Sequence, residues 1–419
     1  MKKLQEERVK ILSLWTLFLG ISIVIRCLPS MIYPEKILEY LVIFGLCMVS
    51  ILLYWRDVEI KRIKWCEFFL MATPLFFFLG SGSVKYIFFV GISVVFYFII
   101  QTDCRAISAI KYPVIIFAFI TSVVTWISFI APDFYIEKIL SVFPESPSLV
   151  YSFLNKNMHH GFTNHFSRNS FYITIAILLL FSNLMNRQKE YRKFTIASLI
   201  FFVCTQFLVA KRGLTLFMIA TMFLLIFLRE KEMKKKVKGS IIFGIGFVIL
   251  FVAAYFLIPG VDNMVSRILT PNKNGDISSG RFVLYREAWD MFIQHPVFGN
   301  GWGSFLSAME GTNIQGVHND YLQMLAENGI VGLVVFLAAN LGCLYYTYKE
   351  FRTIRDAEFD GTQEKQWLYF SFSYQIFFLM YGLTGLPHYS YEQITLYIMM
   401  CGYGVGLYKY RNRLKESGE

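Results

Sequence analysis

The sequence predicts an all-α, polytopic integral membrane protein, and three observations carry this prediction. The 419-residue chain is 56% hydrophobic, only 16% of its residues are charged, and its mean hydropathy is +0.50. A soluble protein carries about 25% charged residues. The charges are also segregated between apolar runs of about 17–25 residues, the length that crosses ~30 Å of hydrocarbon. We therefore interpret residues 1–419 as a single transmembrane domain.

The apolar runs predict about twelve transmembrane helices. The first run follows four basic residues, is too long for a signal-peptide core and lacks a small-x-small cleavage site, so we expect it to be a span. The expected spans lie near 11–28, 37–55, 66–80, 84–101, 112–131, 170–185, 194–210, 213–228, 240–259, 330–347, 367–385 and 392–408.

The basic residues predict the orientation of these spans. Most of the 40 lysines and arginines fall in alternate connections, which the positive-inside rule assigns to the cytosol. An even number of spans then places both termini in the cytosol. The net charge of +11 is mostly a topology signal. Because no basic stripe lies on a foldable soluble domain, we expect no nucleic-acid partner.

This topology leaves two long external loops, about 132–169 and 260–329, and a short external segment near 386–391. All six histidines fall in these three segments. None of the seven cysteines lies in the two long loops, so we expect no disulfide framework.

The segment "VAKRGLTLFM" places two cations, Lys211 and Arg212, between two apolar runs, with only Gly213 as a turn residue. The predicted topology puts them at the external face, against the positive-inside bias. Cations at membrane depth are costly unless an anion matches them. One interpretation is a tight hairpin whose basic residues reach lipid headgroups. The other is a fixed phosphate site, since a guanidinium binds phosphate through two donors.

Residues 277–305 predict a short helix in the second long loop. Ser278 or Ser279 can cap its start, and His295-Pro296 ends it. About fourteen residues span ~21 Å, which is too short to cross a bilayer, so we expect an amphipathic helix on or in the outer surface. Four aromatic residues recur in it at helical spacing: Phe282, Tyr285, Trp289 and Phe292.

Two arginines and a glycine run accompany this helix. Arg281 lies in its first turn, and Arg286, five residues later, is rotated away from it. Either arginine can bind an anion or solvate the polar face. The run Gly299-x-Gly301-x-Gly303 follows a helix stop rather than a strand, so it does not predict a dinucleotide loop. We interpret it as a tight turn where the backbone approaches another segment closely.

His318 precedes a second short helix in "VHNDYLQMLAENGIVG". Asn319 or Asp320 can cap that helix, and Asn328-Gly329 ends it before a span begins at Ile330. The positive end of the helix favours anions and disfavours a charged imidazole. A neutral imidazole there can act as a general base near pH 7. A structural role in a turn is the alternative for a lone histidine.

The histidines of the first long loop could instead form a metal site. His159, His160 and His165 cluster in "NKNMHHGFTNHFSRN", but no cysteine or nearby acid completes a ligand set. No Asp-x-Asp motif occurs in the chain. We therefore expect neither a metal nor a cofactor. The amide, aromatic and basic residues of this loop, including Arg168, suit sugar contacts equally well.

The motifs described above, taken in their order along the chain, resemble those of the bacterial O-antigen ligase and O-antigen polymerase superfamily of polytopic membrane glycosyltransferases. The resemblance covers about residues 200–340, a family-like core region. The residues that carry it are Lys211-Arg212-Gly213, Gly280-Arg281, Trp289, His295-Pro296, the three glycines at 299, 301 and 303, His318-Asn319, Leu322, Glu327, Gly329-Ile330 and Gly332.

The resemblance implies a metal-independent glycosyltransferase acting at the external face of the bacterial cytoplasmic membrane. Its donor would be a polyprenyl-diphosphate-linked glycan and its acceptor a saccharide or glycolipid. Arg212 and Arg281 would hold the diphosphate in place of a divalent ion, and His318 would activate the acceptor hydroxyl for inverting attack. The family often has Ser before the hairpin arginine, where this chain has Lys211. The further substrate-binding residues that we expect are Lys211, Arg286, Asn319 and Arg168.

The expected reaction is polymerisation of lipid-linked oligosaccharide repeats into a surface polysaccharide. The alternative is ligation of lipid-linked polysaccharide to a glycolipid core or protein, and the sequence leaves both open because they share these motifs. A transporter or flippase of lipid-linked saccharides is the rival class. It predicts paired charges or broken helices near mid-membrane and similar halves. Here the unusual residues cluster in external segments.

Overall fold

The described part of the chain is helical and contains no β-strand, as the all-α prediction requires. In this computed structural model the described residues are 10, 13–14, 16–17, 63–77, 84–102, 104–142, 154–155, 157–163, 165–186, 191–257, 261, 280–309, 316–356 and 362–417. The expected spans near 11–28 and 37–55 lie almost wholly outside these residues. Residues 262–279 of the second long loop also lie outside them.

The longer helices are joined by short helical turns and loops. In chain order they are α1 (Trp65–Phe77), α2 (Val84–Thr102), α3 (Lys111–Ile130), α4 (Phe166–Met185), α5 (Arg192–Val209), α6 (Arg212–Arg229), α7 (Met233–Leu257), α8 (Arg281–Gln294), α9 (Ser304–Ala308), α10 (Asp320–Asp356), α11 (Gln363–Tyr381) and α12 (Tyr391–Ser417).

Six of the described helices are long and apolar enough to cross a membrane, namely α3 with the turn before it, α4, α5, α6, α7 and α10. They coincide with six of the expected spans, and the chain is a polytopic membrane protein. Helices also occupy the expected spans 66–80, 84–101, 367–385 and 392–408. The total of about twelve spans stays a prediction.

The described residues fall into two compact units, each of which is formed by three stretches of chain. Unit 1 takes its residues from Met1–Ile43, Ser108–Pro271 and Ile354–Ser373. Unit 2 takes its residues from Phe44–Ile107, Asn272–Thr353 and Tyr374–Glu419.

Unit 1 is built around α4, which packs against α3, α5 and α6. In α4, 72% of the most apolar stretch is buried, whereas in α7 only 6% is. A helix that is apolar on all sides and unburied requires a lipid environment. Helix α7 therefore lies at the periphery of its unit.

Polar side chains link α3 to α4 and to the loop before α4. The Thr121 hydroxyl donates to Asn169 Oδ1 at 2.9 Å, and Asn169 Nδ2 donates to Thr125 at 2.8 Å. His159 Nδ1 lies 2.8 Å from the Ser128 hydroxyl. Such hydrogen bonds are a main source of cohesion between helices that have no water to exclude.

The loop histidines have separate structural partners. His160 Nδ1 donates to the Thr163 carbonyl at 2.8 Å. His165 Nδ1 accepts the Ser167 N–H at 3.1 Å and so caps the start of α4. These contacts give His159, His160 and His165 three different positions in the packing of unit 1.

Unit 2 packs α2 against both α1 and α12. At Gly402 an added Cβ would lie 2.7 Å from the Tyr97 carbonyl, so α2 and α12 approach closely there. The fully buried Glu67 carboxylate of α1 lies 2.6 Å from Lys409 Nζ of α12. It also accepts a hydrogen bond from Gln101 Nε2 of α2 at 2.7 Å. A buried charge requires such partners.

Helix α10 is broken at Gly329, whose backbone (φ 62°, ψ −167°) is not helical. Residues 296–303, here termed the glycine loop, supply the missing hydrogen bonds. The N–H groups of Ile330 and Val331 donate to Pro296 and Val297 at 2.9 and 3.2 Å. In the other direction, the N–H groups of residues 300 and 301 donate to the Ala326 and Glu327 carbonyls at 3.1 and 2.7 Å.

This contact confirms the prediction that the glycine run approaches another segment closely. Gly299 has φ +71°, and an added Cβ would lie 2.4 Å from backbone atoms of Glu327 and Asn328. The break at Gly329 also confirms the prediction that a short helix precedes the span that begins at Ile330.

We expect Gly299→Ala to destabilise the protein strongly. The new Cβ would clash with backbone that cannot move freely, and the left-handed conformation costs a non-glycine residue about 1–3 kcal/mol. Gly244→Ala in α7 is the matched control because nothing lies within 4 Å of the added Cβ there. Thermal unfolding in detergent is the measurement. Equal melting temperatures for the two variants would contradict the contact.

His159 and His160 predict acid-sensitive stability. Burial lowers the pKa of both from 6.5 to about 4, so the unfolded state binds their protons more tightly. Their contribution is complete above about pH 6.5 and is lost towards pH 4, by about 1.4 kcal/mol per pH unit and histidine. We expect the melting temperature to fall from about pH 7 to about pH 5. The fall should be smaller in His160→Asn but unchanged in His295→Asn, since His295 is exposed. An equal fall in wild type and His160→Asn would refute this origin.

Candidate active site

His318 lies in a half-buried segment directly before α10, and its backbone is left-handed (φ +58°). The cap expected at Asn319 or Asp320 is Asn319, whose Oδ1 accepts the Leu322 N–H at 3.0 Å. A left-handed non-glycine residue persists only where neighbouring contacts hold it, and such strain is concentrated at functional sites.

Hydrogen bonds on both sides of His318 hold its backbone. On one side the Val317 N–H donates to the Gln323 side chain at 3.0 Å. On the other side Asn319 Nδ2 donates to the Leu383 carbonyl at 3.2 Å. The Asp320 N–H also donates to the Gly382 carbonyl at 2.8 Å. Residues 317–320 are thereby fixed to the loop that follows α11.

Asp320 and His388 form a buried pair beside this segment. Asp320 Oδ2 lies 2.5 Å from His388 Nδ1 and accepts the His388 N–H at 3.3 Å. Asp320 is 0% exposed and His388 2% exposed. The imidazole packs against the rings of Phe336 and Phe378, with centroids 4.2 and 4.5 Å away. A carboxylate in this position fixes the orientation of an imidazole.

The sequence does not indicate that Asp320 and His388 form a pair. The one available signal is that His388 lies in the short segment near 386–391, which the sequence predicts to be external like the segments of the other five histidines. Nothing local could pair it with Asp320, because the two residues are 68 positions apart.

Glu327 connects the short helix of α10 to the glycine loop. Its fully buried carboxylate accepts the Tyr389 hydroxyl at 2.9 Å and Gln323 Nε2 at 3.2 Å. It also accepts backbone N–H groups of Gly303 and Phe305. The carboxylate thus has several donors, as a buried charge requires.

Helix α8 presents Arg281 at its first position. The helix is preceded by Gly280 (φ +86°) as its N-cap, with no side-chain cap. The cap expected at Ser278 or Ser279 is therefore wrong, and those two serines lie outside the described residues. A glycine adopts this left-handed conformation without steric penalty.

The inner face of α8 packs on the segment that carries His318. Ala288 forms a core cluster with Phe305, Val317 and Ala326. Leu284, Ala288 and Met291 face the core, whereas the aromatic residues Phe282 and Trp289 are exposed on the other side of the helix. The small side chain of Ala288 allows α8 to approach Val317 closely.

Arg281 lies on the side of α8 nearest this core, and Arg286 does not. The Tyr381 side chain is within electrostatic range of both Arg281 and Asp320. Arg286 is exposed, as its five-residue spacing from Arg281 predicts. Arg281, Asn319 and His318 therefore all belong to unit 2, and Arg286 lies on the outer surface of α8.

A narrow apolar cavity adjoins the Asp320–His388 pair within unit 2. Its volume is about 30 Å³, and its walls include Trp302, Phe336, His388 and Tyr397. Trp302 is held by a parallel stack on Tyr389, with centroids 4.2 Å apart. A concave apolar surface with few polar groups is the usual form of a site for an apolar ligand.

In unit 1 Lys211 and Arg212 form the turn between α5 and α6. Helix α5 ends at Val209, Ala210 is left-handed (φ 56°), and α6 begins at Arg212 with Lys211 as its N-cap. Gly213, expected to be the turn residue, lies within α6. The left-handed Ala210 reverses the chain instead.

The cations of unit 1 lie at the N-termini of two helices. Lys211 Nζ lies 5.1 Å from the centroid of the Phe166 ring, and Phe166 is the first residue of α4. Arg168 belongs to the first turn of α4, and Arg212 to that of α6. Helix N-termini favour anions, and cationic side chains add to that effect.

A buried glutamine holds these helix ends together. Gln206 Nε2 in α5 donates to Ser170 in α4 at 2.7 Å and to Thr215 in α6 at 3.2 Å. Lys211 and Arg168, which we expect to bind substrate, and Arg212, which we expect to be catalytic, therefore all lie at these helix starts in unit 1. Arg281, His318 and Asn319 lie in unit 2.

Comparison with known families supports the sequence-based assignment. Residues 196–337, about a third of the chain, match the family model described as O-antigen ligase. This range contains Lys211, Arg212, Arg281, His318 and Asn319. No curated protein matches the chain. The match confirms the predicted resemblance: residues 196–337 of this multi-pass membrane protein are similar to the O-antigen ligase family.

Proposed function

We propose that the protein is a metal-independent membrane glycosyltransferase that polymerises polyprenyl-diphosphate-linked oligosaccharide repeats at the external face of the bacterial cytoplasmic membrane. Ligation of such a glycan to a glycolipid core or protein is the alternative. The family match to residues 196–337 supports a lipid-linked glycan substrate and a membrane setting for both reactions.

In the proposed reaction His318 accepts the proton of the acceptor hydroxyl. The hydroxyl oxygen attacks the anomeric carbon of the donor from the face opposite the leaving group. The bond from that carbon to the diphosphate oxygen breaks, and the diphosphate leaves with the bonding electrons. Arg281, Arg212 and Lys211 stabilise the charge that develops on it.

The observation that carries this proposal is the fixed, strained backbone at His318 in the same unit as Arg281. Hydrogen bonds from Val317 and Asn319 hold that backbone from both sides. Orientation of a reacting group accounts for a large part of catalysis. The positive end of α10 also disfavours a charged imidazole, which leaves the lone pair available for a proton.

Two further features support a diphosphate on an apolar carrier. The cationic group of unit 1 combines helix N-termini with Lys211 and Arg212, and guanidinium groups bind phosphate through paired donors. The small cavity beside His388 in unit 2 has apolar walls, which a hydrocarbon chain could contact at its opening. Neither feature suits a substrate that is only a free sugar.

Substitution of His318 and the two arginines tests the mechanism. We expect His318→Ala to lower the transfer rate by about 10²–10⁴-fold, the usual contribution of a general base. Arg212→Lys and Arg281→Lys should retain part of the activity, and the alanine variants much less, because lysine keeps the charge but not the paired donors. The measurement is glycan chain length in membranes of a deletion strain complemented with each variant.

His295→Ala is the matched histidine control, since its side chain is exposed at the end of α8. Expression and monodispersity of each purified variant exclude misfolding. Normal product from His318→Ala would eliminate the general-base role. In the deletion strain, full-length polymer retained on the lipid carrier would indicate a ligase, whereas single repeat units would indicate a polymerase.

The Asp320–His388 pair predicts a coupled loss of stability. Removal of one partner leaves the other buried and unpaired, which costs about 3–5 kcal/mol. We expect a large fall in melting temperature for His388→Phe, a smaller fall for His388→Asn, whose amide can replace the Nδ1 donor, and a partial recovery in His388→Phe/Asp320→Asn. Additive losses in the double variant would show that the pair is not coupled.

A further inference from the structure

Helix α8 carries an exposed apolar stripe on its outer surface. Phe282, Trp289 and Ile293 are 67%, 47% and 58% exposed. Their spacing of seven and four residues places them on one face of a helix. This face is distinct from the core-facing side, which is formed by Leu284, Ala288 and Met291.

The charges of α8 are distributed around this stripe in an ordered way. Arg286 lies within the stripe, four residues after Phe282 and three before Trp289, and it is exposed. The acidic residues Glu287 and Asp290 are also exposed and lie on the adjoining flank of the outer surface, with the exposed Val283 between them and Asp290 one turn after Arg286. The outer surface of the helix thus has an aromatic flank that contains Arg286 and an adjoining flank that contains the two carboxylates.

The exposed apolar surface continues along the chain to a membrane-spanning helix. Val297 and Phe298 follow α8 and are 51% and 63% exposed. The Ile330 N–H bonds to the neighbouring Pro296 carbonyl, and Ile330 and Val334 are exposed on the span of α10. Because the exposed face of an apolar span contacts lipid, the segment 297–298 lies where that lipid-facing surface ends.

We propose that the Phe282–Trp289–Ile293 flank of α8 lies in the outer leaflet of the lipid bilayer. The aromatic and aliphatic side chains occupy the boundary between acyl chains and headgroups, and Arg286 binds a lipid phosphate. Glu287 and Asp290 face the external solution. Trp and Phe on one face with a cation beside them are typical of helices that lie in the membrane interface.

This lipid contact does not depend on which reaction the protein catalyses. It assigns Arg286 to a headgroup phosphate of the bilayer rather than to the diphosphate of a donor. It also holds the helix that begins at Arg281 at headgroup depth.

Spin labelling of the full-length protein tests the contact. Single cysteines replace Phe282, Trp289 or Ile293 in a background whose seven cysteines are changed to alanine or serine. Glu287→Cys and Asp290→Cys are the matched controls on the same helix. All variants are labelled and placed in nanodiscs of phosphatidylethanolamine and phosphatidylglycerol. Collision rates with oxygen, which partitions into lipid, and with a water-soluble nickel chelate are measured by power saturation.

We expect labels at 282, 289 and 293 to have an oxygen-to-nickel ratio severalfold above that at 287 and 290. A ratio equal to that of the acidic flank would overturn the proposal. Low access for both reagents, together with spin–spin broadening, would show a second copy on this face and would also overturn it.

Arg286→Gln separates the phosphate contact from the apolar one. In nanodiscs we expect this change to make the label at 289 more accessible to the nickel chelate while that at 287 is unchanged. No change at 289 would remove Arg286 from the lipid contact. The melting temperature of each labelled variant confirms that these exposed substitutions leave the fold intact.

Discussion

The break of α10 at Gly329 is the constraint on which the arrangement of unit 2 depends. A helix interrupted beside a membrane span exposes backbone N–H and C=O groups that cannot stay unpaired away from water. The glycine loop satisfies them: its Pro296 and Val297 carbonyls accept the N–H groups of residues 330 and 331, and its residues 300 and 301 donate to the carbonyls of residues 326 and 327. Because that loop follows α8 directly, the same bonds fix the helix of Arg281 to the short helix that follows His318.

The two units hold their candidate site residues by different physical means. In unit 2 side-chain hydrogen bonds and the buried Asp320–His388 pair hold a strained backbone at His318. In unit 1 the cations lie at helix N-termini, where Gln206 joins three helices and the local field favours an anion. One group is suited to proton transfer at a fixed position and the other to binding of charge.

Helix α8 connects the candidate site to the membrane surface. Its inner face packs through Ala288 on Val317, next to His318. Its outer face carries the apolar flank that we assign to lipid. Arg281 and Arg286 are five residues apart and lie on different faces, so the proposals assign one arginine of this helix to the site and the other to the headgroups. The spacing in the sequence places the two arginines on different faces of the helix but does not indicate what each face contacts.

The sequence by itself determined the membrane class, the positions of six spans, the break before Ile330 and a helix cap at Asn319 or Asp320, of which the structure uses Asn319. Composition, periodicity and capping act over a few residues, so a linear pattern contains them. Only the tertiary structure decided that Ala210 rather than Gly213 reverses the hairpin, that Gly280 precedes α8, and that Phe282 and Trp289 are exposed. It also decided the pairing of His388 with Asp320. These features depend on which surfaces pack together, and residues 68 positions apart leave no local signal of their contact.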